Sequence, residues 1–101
     1  SYHPLTNMTE NEWEKFITVF AHYYPSLLHD LNMSTKITQQ EVRACLLICL
    51  SLRESDIAHM LDTSAQRITN IKMSLNKILF DDNSARSLYK NLSQRYGICS
   101  L

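Results

Sequence analysis

The chain of 101 residues has the length of one small domain or of a piece of a larger protein, and its start at Ser1 rather than Met fits a processed or excised piece. Its composition is 45% hydrophobic and 20% charged, which excludes wholesale disorder. One glycine and two prolines are too few for the turns of a sheet, so we expect an all-α fold of five or six helices. No apolar run approaches ~18 residues, so we expect no membrane contact within this segment.

The charges are unevenly distributed although the formal net charge is zero. Residues 1–35 carry four acidic side chains and one lysine, whereas residues 63–101 carry six basic and two acidic side chains. A basic second half permits an anionic partner at that end of the molecule but does not prove one, because charged surfaces are usually just solvated.

The cysteines indicate a reducing compartment, most simply the cytoplasm. Three cysteines cannot all pair within one chain, and Cys45 and Cys49 have the spacing of buried thiols in an apolar helix, while Cys99 is expected to be exposed. A metal site formed with His59 is the alternative for the first two. No CxxC pair and no closely spaced histidine pair supports it, so we expect neither a metal nor another cofactor.

Residues 1–35 are expected to form an amphipathic helical lead-in. The segment Thr9-Glu10-Asn11-Glu12 has the spacing of a capping box, in which the threonine hydroxyl and the last glutamate each satisfy a backbone N–H. Pro25 interrupts the helix that follows, and a short second helix is expected from Ser26. The first helix carries one aromatic-rich stripe, which packs on the domain's own core or, alternatively, forms a dimer seam. The stripe consists of Trp13, Phe16, Ile17, Phe20 and Tyr24.

Residues 36–80 are expected to contain three helices. A second capping box, Thr38-Gln39-Gln40-Glu41, opens an almost wholly apolar stretch that is typical of a buried central helix. A buried strand is the competing interpretation, which the cap disfavours. A brief helix follows Ser51, and Ser64 is expected to cap a further helix at about 65–79.

Residues 81–101 are expected to hold one more helix, which packs on the same domain. Ser84 is placed to cap this helix at its start, and Gly97 to end it in the left-handed conformation that favours glycine. The pair Asp81-Asp82 is expected to form a turn before it rather than to bind a metal.

The predicted helix at 65–79 has two different faces. At 100° per residue, one face is apolar, while the other presents hydrogen-bonding groups, a methionine and a positive charge. The packing face consists of Ile68, Ile71, Leu75, Ile78 and Leu79. The opposite face consists of Gln66, Thr69, Asn70, Met73 and Lys77. No acidic residue occurs between Thr63 and Phe80.

Two short helices joined by a tight turn, the second with an acid-free polar face, form the outline of a helix-turn-helix. The alternative is that the polar face is an ordinary solvated helix surface.

The sequence of residues 37–79 resembles the LuxR/GerE-type DNA-binding domain without a gap. Three segments carry most of this resemblance. The first segment, Ile37-Thr38-Gln39-Gln40-Glu41, is similar to the family's LTxRE. The second, Leu46-Leu47-Ile48 with residues 51–58, is similar to LIAxGLSNKEIA. The third, residues 61–69, is similar to LxISxxTVK. Residues 75–79 resemble IxxKL, and residues 13–28 are similar to the helical lead-in of the variant common in Bacteroidetes regulators. In those proteins the domain often lies at the C-terminus of a larger sensor.

The resemblance implies a helix-turn-helix at about 54–79 that binds double-stranded DNA as a homodimer. It implies the output domain of a bacterial transcriptional regulator, with no enzymatic activity and no small-molecule substrate. In the matching positions Thr69, Asn70 and Met73 approach base edges. Gln66, Lys72 and Lys77 are then phosphate contacts or rim residues, and Arg67 is either.

The chain departs from the family pattern at several positions that concern the DNA-binding surface. Ser51 stands in place of a glycine, and Arg53 in place of a hydroxyl cap. Thr69 replaces a basic residue of the recognition helix, and Ile71 replaces its histidine. These departures, with the zero net charge, motivate an alternative function: a helical protein-interaction or dimerisation module without DNA binding.

Overall fold

The computed structural model describes residues 7–99, and within this range it contains six α-helices and no strand. The prediction of an all-α fold with five or six helices is confirmed. The helices are α1 (Glu10–Tyr23), α2 (Pro25–Met33), α3 (Gln39–Cys49), α4 (Glu54–Met60), α5 (Ala65–Phe80) and α6 (Leu88–Tyr96). None of the helices in the described part of the chain is long and apolar enough to cross a membrane.

Side-chain caps fix the starts of three helices. At α1 the Thr9 hydroxyl accepts from the N–H of Glu12 at 3.1 Å, and the Glu12 carboxylate accepts from the N–H of Thr9 at 2.8 Å. Thr38 and Glu41 repeat this arrangement at α3 with distances of 3.2 and 2.8 Å. At α5 the Ser64 hydroxyl accepts from a first-turn N–H at 3.1 Å. Both capping boxes and the Ser64 cap are therefore confirmed.

Pro25 separates α1 from α2 as the sequence predicts. It is the first residue of α2, one position earlier than expected. Proline is tolerated there because the backbone N–H that it lacks would have no partner within the first turn of a helix. The backbone of Tyr24 joins the two helices: its N–H donates to the carbonyl of Phe20 at 2.8 Å, and its carbonyl accepts from Leu28 at 3.3 Å.

The expected cap of the last helix is wrong. Helix α6 begins at Leu88. Neither the expected residue Ser84 nor the preceding residue Ser87 caps it through a side chain. The Ser84 hydroxyl instead accepts from the N–H of Arg86 at 3.2 Å, within the turn before the helix. The end of α6 is as predicted, since Gly97 adopts a left-handed conformation with φ of 72°. Asp81, with φ of 54°, ends α5 in the same way and begins the expected turn.

Helix α3 is the centre of the fold, and it contacts α4, α5 and α6. Every residue from Ala44 to Cys49 is buried, which confirms the buried central helix over the competing strand. Cys45 and Cys49 are free, buried thiols, whereas Cys99 is exposed, as predicted. The hydrogen-bonding thiol of Cys49, together with burial, raises the pKa of Cys45.

The aromatic stripe of α1 packs on the domain's own core. Trp13 and Phe20 are buried, and the rings of Trp13 and Phe16 meet edge to face at 5.7 Å. The guanidinium carbon of Arg43, on α3, lies 4.9 Å from the centre of the Trp13 ring. The remaining members of the stripe, Phe16, Ile17 and Tyr24, are partly buried against the same core.

Candidate nucleic-acid interface

Helices α4 and α5 are joined by the four residues 61–64 and pack on each other. The N–H of Thr63 donates to the carbonyl of Ala58 at 2.9 Å, and Asp62 adopts a left-handed φ of 54°. The preceding turn contains Ser51, which has a left-handed φ of 62° although it occupies a position where the LuxR/GerE-type pattern has glycine. The α4–α5 pair therefore has the connectivity and the short turn of a helix-turn-helix unit.

Helix α5 has a buried face and an exposed face, in the positions that the periodicity predicts. Ile68, Ile71 and Leu75 are completely buried against the core. The partly buried Ile78 and Leu79 continue this face. Among the predicted site residues, the exposed ones are Gln66, Asn70, Met73 and Lys77. Thr69 and the two basic residues Arg67 and Lys72 are half-buried at the borders of the exposed face.

A hydrogen bond links two of the exposed amides. The amide nitrogen of Gln66 donates to the carbonyl oxygen of Asn70, one helical turn further on, at 3.1 Å. This contact leaves the amide nitrogen of Asn70 as a donor on the outer face of α5 and restrains its side chain. Arg67 is held differently, because its Nε donates to Gln40 of α3 at 3.4 Å, which keeps the guanidinium at the edge of the surface.

An acidic side chain from α4 lies against the border of the exposed face. The Thr69 hydroxyl donates to Oε2 of Glu54 at 2.7 Å, and Nζ of Lys72 lies 3.7 Å from the same oxygen. The α5 segment itself contains no acid, as the sequence indicates. The periodicity of α5 could not reveal the contact with Glu54, because this contact depends on how α4 and α5 pack. The sequence pattern of each helix alone does not specify that packing.

The second lysine of the candidate surface is paired as well. Nζ of Lys77 donates to Oδ1 of Asp81 at 2.7 Å, and this ammonium lowers the pKa of Asp81 below its ordinary value. Both side chains are largely exposed, so the pair is solvated and weakly held. Lys77 and Asp81 are four residues apart, a spacing at which opposite charges on a helix commonly pair. The sequence therefore contained a signal for this ion pair, although it predicted Asp81 only as a turn residue.

Sequence reasoning also missed a buried polar residue of α5. Asn76 is completely buried; its amide nitrogen donates to the hydroxyl of Ser87 at 2.9 Å and to the backbone carbonyl of Ser84. Its amide oxygen accepts from Asn91 of α6 at 2.8 Å. Ser87 and Asn91 also donate to Asp82, and these hydrogen bonds lower the pKa of that carboxyl group. This Asn76 network attaches the end of α5 to α6.

The histidines and cysteines give no support to a metal centre. Within residues 7–99, no three histidine, cysteine, aspartate or glutamate side chains come together in a group that could hold a metal ion. Cys45 and Cys49 are buried inside α3, whereas His59 lies on the exposed side of α4.

Comparisons with protein-family models, with curated proteins and with solved structures found no match to this chain. The resemblance to the LuxR/GerE-type domain thus depends on the motifs in residues 37–79, and it stays a prediction. What the residues themselves provide is a helix pair whose second member exposes two amides, a methionine and a lysine on one side.

Proposed function

We propose that this chain is the sequence-specific DNA-binding domain of a bacterial transcriptional regulator. One observation carries the proposal: α5 is anchored by three fully buried aliphatic side chains while its opposite face exposes hydrogen-bonding groups without an acid of its own. A helix that enters the major groove needs both properties, since it must present donors and acceptors outward and stay fixed to its scaffold. The motifs of residues 37–79 support the same assignment.

The exposed face offers groups suited to base edges and to phosphates. From Gln66 to Lys77 it extends about 16 Å along the helix axis, a length that a single helix can present to the major groove. Asn70 can form two hydrogen bonds with adenine if its carbonyl oxygen releases Gln66, and Met73 can touch a thymine methyl group. Lys77 reaches a phosphate once it leaves its exposed partner Asp81, at a small cost.

In this proposal the borders of the face contact the DNA backbone, and Arg67 and Lys72 extend along apolar stems to reach it. The domain acts as a homodimer in the bacterial cytoplasm, because regulators of this type bind two half-sites of a palindromic operator. It converts no small-molecule substrate and requires no cofactor.

Titration of fluorescent duplexes tests the proposal. Duplexes selected from a random pool should bind, and the logarithm of the affinity should fall linearly with the logarithm of the salt concentration. Four to six phosphate contacts give a slope of about −4 to −5. Absence of binding to the selected pool at about 50 mM salt would refute DNA binding.

Replacement of Asn70 by alanine is expected to weaken binding to the preferred duplex by about 1–3 kcal/mol and to flatten the preference at one base pair. Binding to random duplexes should change little, because the amide carries no charge. The measurement is a competition titration with duplexes substituted at each position. Asn32→Ala is the matched control, since it removes an exposed asparagine from α2. An equal loss on every sequence would contradict a base contact by Asn70.

A helical protein-interaction module is the second candidate function. It is favoured by the pairing of Lys72 with Glu54 and of Lys77 with Asp81, which reduces the positive charge available to a polyanion. The two candidates differ in the salt titration, because a module of this kind shows no affinity for the selected duplexes.

A further inference from the structure

We propose that Glu54 is a specificity-determining residue, which suppresses the binding of α5 to DNA of arbitrary sequence. This inference rests on the proposed function and identifies a residue outside α5 that regulates it. The carboxylate belongs to the first turn of α4, yet it contacts two of the α5 side chains that are expected to meet DNA.

The geometry lets one carboxylate oxygen control two groups. Oε2 of Glu54 accepts from the Thr69 hydroxyl at 2.7 Å and lies 3.7 Å from Nζ of Lys72. The side chain of Lys72 is 23% exposed and that of Glu54 40%, so the pair is more sheltered than Lys77–Asp81. Shelter from water makes the attraction between the two charges stronger and less sensitive to salt.

This contact weakens binding to random sequences in particular. Binding of that kind depends almost wholly on the release of counterions by Lys and Arg side chains at phosphates. A lysine held by an internal carboxylate contributes less to this release, and the carboxylate also repels the phosphates around it. On the preferred sequence, base contacts such as that of Asn70 hold α5 in the groove and favour the exchange of Glu54 for a phosphate at Lys72. Removal of the carboxylate therefore gains less affinity there than on random DNA.

Glu54 also limits what Thr69 can do at a base edge. The Thr69 hydroxyl donates to the carboxylate at 2.7 Å, and the backbone carbonyl of Ala65 is a second, more distant acceptor at 3.4 Å, so the hydroxyl proton is engaged within the protein. Thr69 then accepts from an amino group or touches a thymine methyl, and it does not serve as a donor. The carboxylate consequently orients a side chain in one of the positions expected to approach bases.

The acidic neighbour Asp56 provides a matched comparison. It belongs to the same first turn of α4, but its carboxylate accepts from Nε of Arg53 at 3.1 Å, three residues away. Removal of its charge alters the net charge by the same amount as removal of the Glu54 charge. It leaves the contacts of Thr69 and Lys72 unchanged, so it separates a specific contact from general electrostatics.

The experiment compares the whole 101-residue chain with Glu54→Gln and Asp56→Asn, using a random-sequence duplex and the selected duplex. Glu54→Gln should raise affinity for the random duplex by about threefold to tenfold and steepen its salt slope by about one unit, as expected for one additional phosphate contact. Affinity for the selected duplex should rise less, so the ratio of the two affinities falls. Asp56→Asn should raise both affinities alike.

Glutamine keeps an oxygen that accepts from Thr69, so the variant retains the neutral part of the contact and should fold normally. Adding Lys72→Ala to Glu54→Gln should return the salt slope to that of the unaltered chain, which identifies Lys72 as the released group. Equal changes in Glu54→Gln and Asp56→Asn, or an unchanged random-duplex affinity in Glu54→Gln, would overturn the inference while the unaltered chain still binds DNA. Failure of the unaltered chain and of every variant to bind would overturn the proposed function as well.

Discussion

Replacement of Trp13 by alanine is expected to lower the free energy of unfolding by about 3–5 kcal/mol. The indole is only 2% exposed, it meets Phe16 edge to face, and the guanidinium of Arg43 lies over its ring. Alanine would leave a cavity between α1 and α3 and would remove the stacking surface of Arg43. Urea denaturation followed by far-ultraviolet circular dichroism measures the change, since Trp13 is the sole tryptophan and its fluorescence is lost with it.

The control for this substitution is Val19→Ala, at an exposed position of α1. Val19 is 56% exposed, so its truncation should alter the free energy of unfolding by no more than about 0.5 kcal/mol. The loss in Trp13→Ala should be independent of protein concentration, because the contacts of Trp13 lie within one chain. A loss that disappears at high protein concentration would instead identify the stripe as a dimer seam.

Replacement of Ile71 by alanine should lower the free energy of unfolding by about 2–5 kcal/mol. Ile71 is completely buried on the inner face of α5, in the position where the resembling family has a histidine. The chain therefore uses as an anchor a residue that the family pattern would make polar. Thermal and chemical denaturation of the variant quantify this anchoring.

Met73→Ala is the matched control on the outer face of the same helix. Its side chain is 45% exposed, and its loss should cost no more than about 0.5 kcal/mol of stability. A large loss in Met73→Ala combined with a small one in Ile71→Ala would show that the two faces of α5 are reversed, and the proposed DNA-binding surface would then be wrong.

The helices were predictable because their signals are local. The hydroxyl and carboxylate groups of both capping boxes lie three residues apart, so their hydrogen bonds form wherever the chain turns helical. The apolar face of α5 follows in the same way from helical periodicity. Ser84 failed as a cap because a hydroxyl at the start of a turn has several backbone N–H groups within reach, and it accepts from Arg86 before the helix begins.

The partners of the candidate surface were much less predictable. The contact of Thr69 with Glu54 joins residues 15 positions apart, and that of Arg67 with Gln40 joins residues 27 apart. Such contacts depend on how helices pack, and the periodicity of each helix specifies only which side is apolar. Asn76 was missed for a related reason: an asparagine at the edge of an apolar face gives no sign of burial until the partners on the next helix are placed.

The Asn76 network has a consequence for the geometry of the last helix. Contacts between aliphatic side chains tolerate a shift along the helix axis, because dispersion forces have little directionality. Hydrogen bonds to Ser87 and Asn91 permit one alignment only, and a slip of a single turn, about 5.4 Å, would strand buried donors and acceptors. These hydrogen bonds therefore fix the position of α6 along the axis of α5. They also hold the C-terminal end of α5 against α6.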